Sequence, residues 1–447
     1  MDTLRSFVAG GLGITDFWSK PDRLSESFEL RRFTLNSTAS RPLTDLYELY
    51  WAHHYEAGDL RQTLWWALTL LTRRPFWRLN ATLRGWFCVL QLLLLALLML
   101  VGWLVVEQLR HDSIGQVWNS WKAWSAAAIA VVELVAGHFV TRSLADAARY
   151  LTPRPPNIAA RNAIRAEGLA LIRKLHDAGT YQRVVVVGHS LGAVIGLDLI
   201  RLAWDELRHP DPAQWADQTE AKLFSSAIEA LGTYPANKEL SDFQHAQLRL
   251  WRENRAVGVP WLITDFITIG SPLAHASLLL STKRVSLSKR QADKEFPTCP
   301  PLVDGKTSFV SDNVDVGGGR LRNVLTGHHG APFGPTRWHN LYYPVRFPLY
   351  GDPVGGPVHE VFGPGVRDRK VRPSAAGWRA WTYRLTLLSH TRYWVPGPKA
   401  DDDQRRQEQD RATGTQEAVR ALQSAMSLDI KRGKAFPPAA PPKGGSG

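Results

Sequence analysis

The chain has 447 residues and a formal net charge of +13, from 54 Lys and Arg against 41 Asp and Glu. Length alone allows two or three domains, and its two cysteines, Cys88 and Cys299, exclude a disulfide framework. Such a basic balance suits nucleic acid or an anionic membrane face. The sequence carries no recognition-helix or RNA-module pattern, so no nucleic acid is expected, and a basic membrane-facing surface is the simpler account.

In chain order, residues 1–59 form a first segment. The opening MDTLRSFVAGG reads as a helix and lacks the apolar core of a signal peptide. The first plausible strands are 29–35 and 45–51. Residues 60–150 read as a membrane-associated insertion. Within it, 60–79 mixes apolar residues with arginine and reads equally as a helix on the membrane surface or a soluble helix packed on the sheet.

Residues 86–106 (WFCVLQLLLLALLMLVGWLVV) hold no charge and one glutamine, enough to cross a bilayer. Residues 124–140 are a second span, shorter and carrying Glu133 and His138. Glu133 is costly in lipid, so it is expected to face the first helix, the loop water or another subunit. A hairpin is required topologically, because pieces of one domain lie on both sides of the first span. Arg73, Arg74, Arg78 and Arg84 precede the hairpin, and Arg142, Arg149, Arg154 and Arg161 follow it. The positive-inside rule then puts both ends in the cytoplasm, giving a multi-pass protein of the inner membrane with its main domain cytoplasmic.

Residues 151–400 form that main domain. Residues 184–187 are four valines, a short strand of the kind buried in a parallel sheet. Gly188-His189-Ser190-Leu191-Gly192 follows as G-x-S-x-G, and 191–207 has helical periodicity. Strand, tight turn and helix make the context of a nucleophile elbow. Gly188 and Gly192 lack the Cβ that would clash where strand and helix approach, and Ser190 is held beside a helix N-terminus, whose free N–H groups favour negative charge.

With GHSLG in this setting, the chain resembles the lipase and esterase branch of the α/β-hydrolase superfamily. That resemblance implies an α/β fold: a mainly parallel sheet with flanking helices, here interrupted by a transmembrane helical hairpin. It also implies a Ser–His–acid triad in the chain order Ser, acid, His, with no metal or organic cofactor. Residues 340–347 read as a strand, and Tyr350-Gly351-Asp352-Pro353-Val354 resembles the strand-end segment that carries the acid in lipase-like members. Asp352 is therefore the expected acid; Asp304, Asp312 and Asp315 sit in a polar stretch with no strand before them. His390 is the last of 14 histidines, and with Tyr393-Trp394 it resembles the late histidine segment of the same enzymes. His339 and His359 are spare candidates. His189 reads as a packing residue, and the pair His328-His329 has no third ligand at zinc-like spacing.

Residues 261–269 read as a further strand running into Gly270-Ser271-Pro272, with Ser271 structural. Residues 283–337 read as a long irregular excursion, a lid or cap. Residues 401–447 hold one helix at 416–428 and a Pro/Gly-rich end expected to be disordered.

One element of the resemblance is missing. Leu191 N–H supplies one oxyanion donor, and the second is expected from a loop after an early strand. No strand leads into Gly10-Gly11-Leu12-Gly13, so the first strand of the fold is expected to lie upstream of Met1. The expected activity is hydrolysis of a lipid or other hydrophobic carboxylic ester at a lipid membrane. The alternatives are a weakly active or inactive membrane-tethered scaffold and an acyltransferase using the same triad.

Overall fold

A computed structural model describes residues 2–54, 150–373, 389–394 and 411–427, each range with short breaks, and single positions at 91–106 and 408. The central element is a five-stranded sheet in the order β10-β9-β8-β5-β4, all neighbours parallel. Its strands are β4 (Val184–His189), β5 (Ile263–Ile269), β8 (Arg337–Tyr342), β9 (Arg367–Arg372) and β10 (Gln416–Glu417). Helices cover both faces, so the main domain is an α/β arrangement, as expected.

Alternation along the strands sorts their side chains between two cores. Val184, Val186, Phe266 and Trp338 join one core. It is closed by α2 (Pro155–Asp177), α3 (Leu191–Leu207), α4 (Thr219–Leu231) and α5 (Asn237–Ala256). Val185, Val187, Ile267, Ile269, Leu341 and Val371 join the other. That face is covered by the N-terminal helix, α1 (Asp2–Ser6) with a π-helical continuation Phe7–Gly11, and by the C-terminal helix Ala418–Met426. Every residue of β5 is buried. By contrast, β4 is mostly half-buried and pairs only with β5 among the described residues, so it forms the sheet's edge there.

Several expectations shift. The strand expected at 340–347 ends at Tyr342, because the chain turns there: Asp352 N–H donates to the Tyr343 carbonyl and Arg346 bridges Tyr350. The early strands form a separate antiparallel sheet of β1 (Phe17–Pro21), β2 (Arg31–Leu35) and β3 (Thr44–Leu46). Its β1 precedes the first strand read from sequence; Pro21 and the polar Ser19 and Lys20 mask it. The excursion at 283–337 contains a helix, Leu287–Ala292, and a hairpin, β6 (Phe309–Asp315) with β7 (Leu321–Gly327). Phe309 packs edge-on against Phe224 of α4, so tertiary contact orders a stretch whose polar composition reads as loop. The helix expected at 416–428 begins at Ala418, because Gln416 and Glu417 pair with β9.

The expected spans lie outside the described residues, except for Gln91, Leu92, Leu95, Met99, Gly102 and Val106, which are helical and exposed. Among the described residues, no helix is long and apolar enough to cross a membrane. Asp304 and the chain beyond 427 also lie outside them.

Candidate active site

The loops that matter leave the carboxyl ends of adjacent parallel strands, where open α/β sheets place their sites. After β4 the chain reverses through Ser190, whose φ of 52° and ψ of −124° place a serine in the left-handed half of backbone space. Ser190 N–H donates to the Ile269 carbonyl of β5, and its own carbonyl accepts from Ala193 N–H, so the turn is held on both sides. A Cβ at Gly188 would lie 2.5 Å from the Gly192 carbonyl oxygen and 2.7 Å from Ala193 Cα, which explains glycine there. At Gly192 a Cβ would meet nothing within 4 Å, so the clash expected at that second glycine is absent.

Ser190, His390 and Asp352 converge. Ser190 Oγ lies 2.9 Å from His390 Nε2, and His390 Nδ1 lies 2.9 Å from Asp352 Oδ2. The natural proton arrangement has Ser190 donating to Nε2 and Nδ1–H donating to the carboxylate. Asp352 is fully buried and also accepts from Tyr393 O–H at 2.8 Å and Val354 N–H at 2.9 Å. Burial pushes its carboxyl pKa up. Electrostatic attraction to His390 and the bonds from His390, Tyr393 and Val354 outweigh burial and hold it below the usual carboxylate value. Asp352 is thereby kept ionised in an apolar surrounding. Gly270, at φ +53°, leaves room for this carboxylate: a Cβ there would stand 2.9 Å from Asp352 Oδ2 and 2.8 Å from the Tyr393 ring.

Four contacts fix the segment carrying His390 to the rest of the site. Ser389 Oγ donates to the Gly351 carbonyl at 2.7 Å, next to Asp352. Tyr343 O–H donates to the Arg392 carbonyl. Tyr343 and Tyr393 stack with planes 4° apart. His189 lies 5.0 Å from the His390 ring, and its Nε2 sits 2.9 Å from the His390 carbonyl oxygen. Burial, then the neighbouring His390, lowers the His189 pKa to about 3, so it is neutral and Nε2–H is the donor. The packing role expected for His189 is therefore joined by a positioning one.

Contacts that the motifs did not reveal complete the arrangement. His275 Nε2–H donates to the Pro353 carbonyl at 3.1 Å and steadies the Asp352 loop. Asp368 of β9 gathers Val358 N–H, His359 N–H, His359 Nδ1–H and Asn340 Nδ2–H on its two oxygens. The same Asn340 amide donates to the Gly356 carbonyl, so the far end of that loop is tied to β8 and β9. No local sequence signal marks these residues, since each partner comes from a different element.

The remaining candidates go elsewhere. His339 is buried on β8, 3.6 Å from Asp265, and His359 pairs with Asp368. His328 Nε2–H donates to the Leu302 carbonyl, and its Nδ1 accepts from Gly330 N–H; His329 packs edge-on against it. Asp312 and Asp315 lie on the β6 hairpin. Ser271 is buried and caps a short 3-10 turn by accepting from Leu273 N–H.

Leu191 N–H opens α3, where first-turn N–H groups have no intrahelical acceptor, which suits it to receive a developing oxyanion. Gly10 and Gly11 belong to the π-helical turn that continues α1. Among the described residues, the early strands β1 to β3 form their own antiparallel sheet and none joins the parallel sheet. Comparison with protein-family models, curated proteins and solved structures finds no match to this chain.

Proposed function

We propose that the chain is a membrane-anchored serine hydrolase of α/β-hydrolase type that cleaves carboxylic esters, of lipid or another hydrophobic acyl class. The observation that carries this reading is the unbroken chain from Ser190 Oγ through His390 to buried Asp352, with both links at 2.9 Å. A strained serine at the head of a helix adds to it.

Ser190 Oγ attacks the acyl carbon while His390 Nε2 takes its proton. The carbonyl oxygen becomes an oxyanion facing Leu191 N–H. Collapse expels the alcohol, which leaves with the proton from His390. Water, deprotonated by the same nitrogen, then cleaves the acyl-enzyme and releases the acid. Asp352 holds Nδ1–H and stabilises the transient imidazolium.

The lipid preference and the cytoplasmic inner-membrane location rest on the sequence of the insertion. Leu92, Leu95, Met99 and Val106, exposed and spaced three, four and seven apart on a helix, support an apolar face turned outward there. A second reading, a tethered scaffold, draws on the expected early strand and second oxyanion donor, since no early strand joins the parallel sheet among the described residues. Turnover of p-nitrophenyl esters of rising chain length, by the full chain in mixed micelles, separates the two. Hydrolysis that rises with acyl length and is lost on Ser190→Ala supports the enzyme. Equal background release from both proteins, each folded by circular dichroism, supports the scaffold. Product analysis with added alcohol acceptors distinguishes hydrolysis from acyl transfer.

A further inference from the structure

We infer a divalent transition-metal site, suited to zinc(II), formed by His53, His54 and Glu167. His53 and His54 end a 3-10 turn, Ala52–His54, and Glu167 projects from α2. The ligating atoms of all three lie within 4.8 Å of one another. Both imidazoles approach one oxygen: Glu167 Oε1 is 2.8 Å from His54 Nε2 and 3.5 Å from His53 Nε2. Ligands of tetrahedral zinc at about 2.0–2.1 Å stand roughly 3.3 Å apart, so small side-chain adjustments convert this cluster into three corners of a tetrahedron.

The contact between His54 and Glu167 gives the second reason. His54 Nε2 is shielded from solvent, yet it makes no hydrogen bond, although the carboxylate oxygen is only 2.8 Å away. The carboxylate oxygen lies off the direction in which a ring N–H would point. A cation held between the ring nitrogen and the carboxylate oxygen would satisfy both. The two rings are also crowded, with centroids 3.9 Å apart, and Tyr50 stacks on His53 and sets its plane. Two imidazoles and one carboxylate select first-row transition ions over calcium or magnesium. His53 and Glu167 are nearly half exposed, which leaves the remaining coordination position open to water.

The site's position suggests what it does. The turn Ala52–His54 precedes the predicted membrane-associated insertion at 60–150 in the chain, and α2 follows it. A metal shared by the turn and the helix joins the outgoing and returning chain at the neck of that insertion, and α2 in turn packs on α3, which carries the elbow. The assignment is structural and independent of esterase activity.

The test is zinc titration of the full chain in detergent micelles after chelator treatment, by isothermal calorimetry and thermal melting, with magnesium as control. Wild type is expected to bind one zinc ion more than His53→Ala/His54→Ala and than Glu167→Gln, and to gain a few degrees in Tm with excess zinc that both variants lack. Cobalt(II) is expected to give visible d–d bands in wild type alone. Equal melting of all three proteins without metal establishes that the variants fold. If Glu167→Gln fails to fold, the double histidine variant carries the comparison. Identical zinc stoichiometry and identical Tm gain in wild type and variants, or no gain in any of them, overturns the site.

Discussion

Two Asp–His pairs lie at the carboxyl side of the same sheet and do different work. In the first, Asp352 is fully buried and His390 nearly so, and the histidine's second nitrogen faces a serine in strained backbone. In the second, Asp368 accepts from two backbone N–H groups and Asn340 as well as from His359, whose side chain is about a third exposed. The chemical pair is the same. What separates them is where the spare capacity points: the first offers an imidazole nitrogen to the Ser190 hydroxyl, and the second uses its oxygens to tie down the loop that carries the first. An Asp–His contact is therefore poor evidence of catalysis until the far nitrogen is followed to its partner.

The largest expected difference between the pairs is in rate. Asp352→Asn is expected to lower kcat on the order of 10⁴-fold, because the amide no longer fixes the His390 tautomer or stabilises its charge, while Tm changes far less. Steady-state ester hydrolysis beside thermal melting checks it; a loss below tenfold breaks the distinction. Asp368→Asn is expected to show the reverse. Losing charge-assisted bonds to the loop costs about 2–4 kcal/mol of stability, seen as a lower urea midpoint, with kcat in the surviving folded fraction down by no more than about tenfold.

A smaller effect concerns His189, a histidine at the site with no carboxylate of its own. Its pKa in the fold is about 3, below the usual value of about 6.5. As pH falls through that window the unfolded chain takes up a proton that the folded chain refuses, so stability falls with pH by up to about 1.4 kcal/mol per unit. His189→Asn is expected to flatten that slope, measured as the urea midpoint between pH 6.5 and 4. An unchanged slope would mean His189 is protonated in place. The smallest effect belongs to His359. Its bond to Asp368, acting against burial, raises its pKa. The contribution is full below the unfolded value and is lost as pH rises through the folded one. His359→Gln is thus expected to cost more stability at pH 6 than at pH 9, by under about 1 kcal/mol given its exposure.

The elbow was legible because strand, turn and helix are contiguous: four valines, a glycine that a Cβ would drive into Gly192 and Ala193, and a helix start all fall within a few residues. Asp352 and His390 were legible only through resemblance, since nothing local distinguishes them from Asp368 and His359. The supporting contacts were not legible. His275 meets Pro353 and Asn340 meets Asp368 only after β5, β8 and β9 pair in register. The hairpin β6–β7 is hidden by its polar residues, and the expected strand at 340–347 overshoots β8 because the aromatic and apolar run continues through Tyr343 past the strand's end at Tyr342. Nothing local marks His53 and His54, because their partner, Glu167, lies far along the chain.

The central claim is that the oxygen of Ser190 is activated by His390 and Asp352. It is tested most directly by exposing the folded full-length protein to a fluorophosphonate and locating the adduct by peptide mass spectrometry. The account predicts one adduct on Ser190, slowed severely in His390→Ala and absent in Ser190→Ala. A folded wild-type chain that takes up no label, or takes it up elsewhere at an undiminished rate in Ser190→Ala, would contradict it.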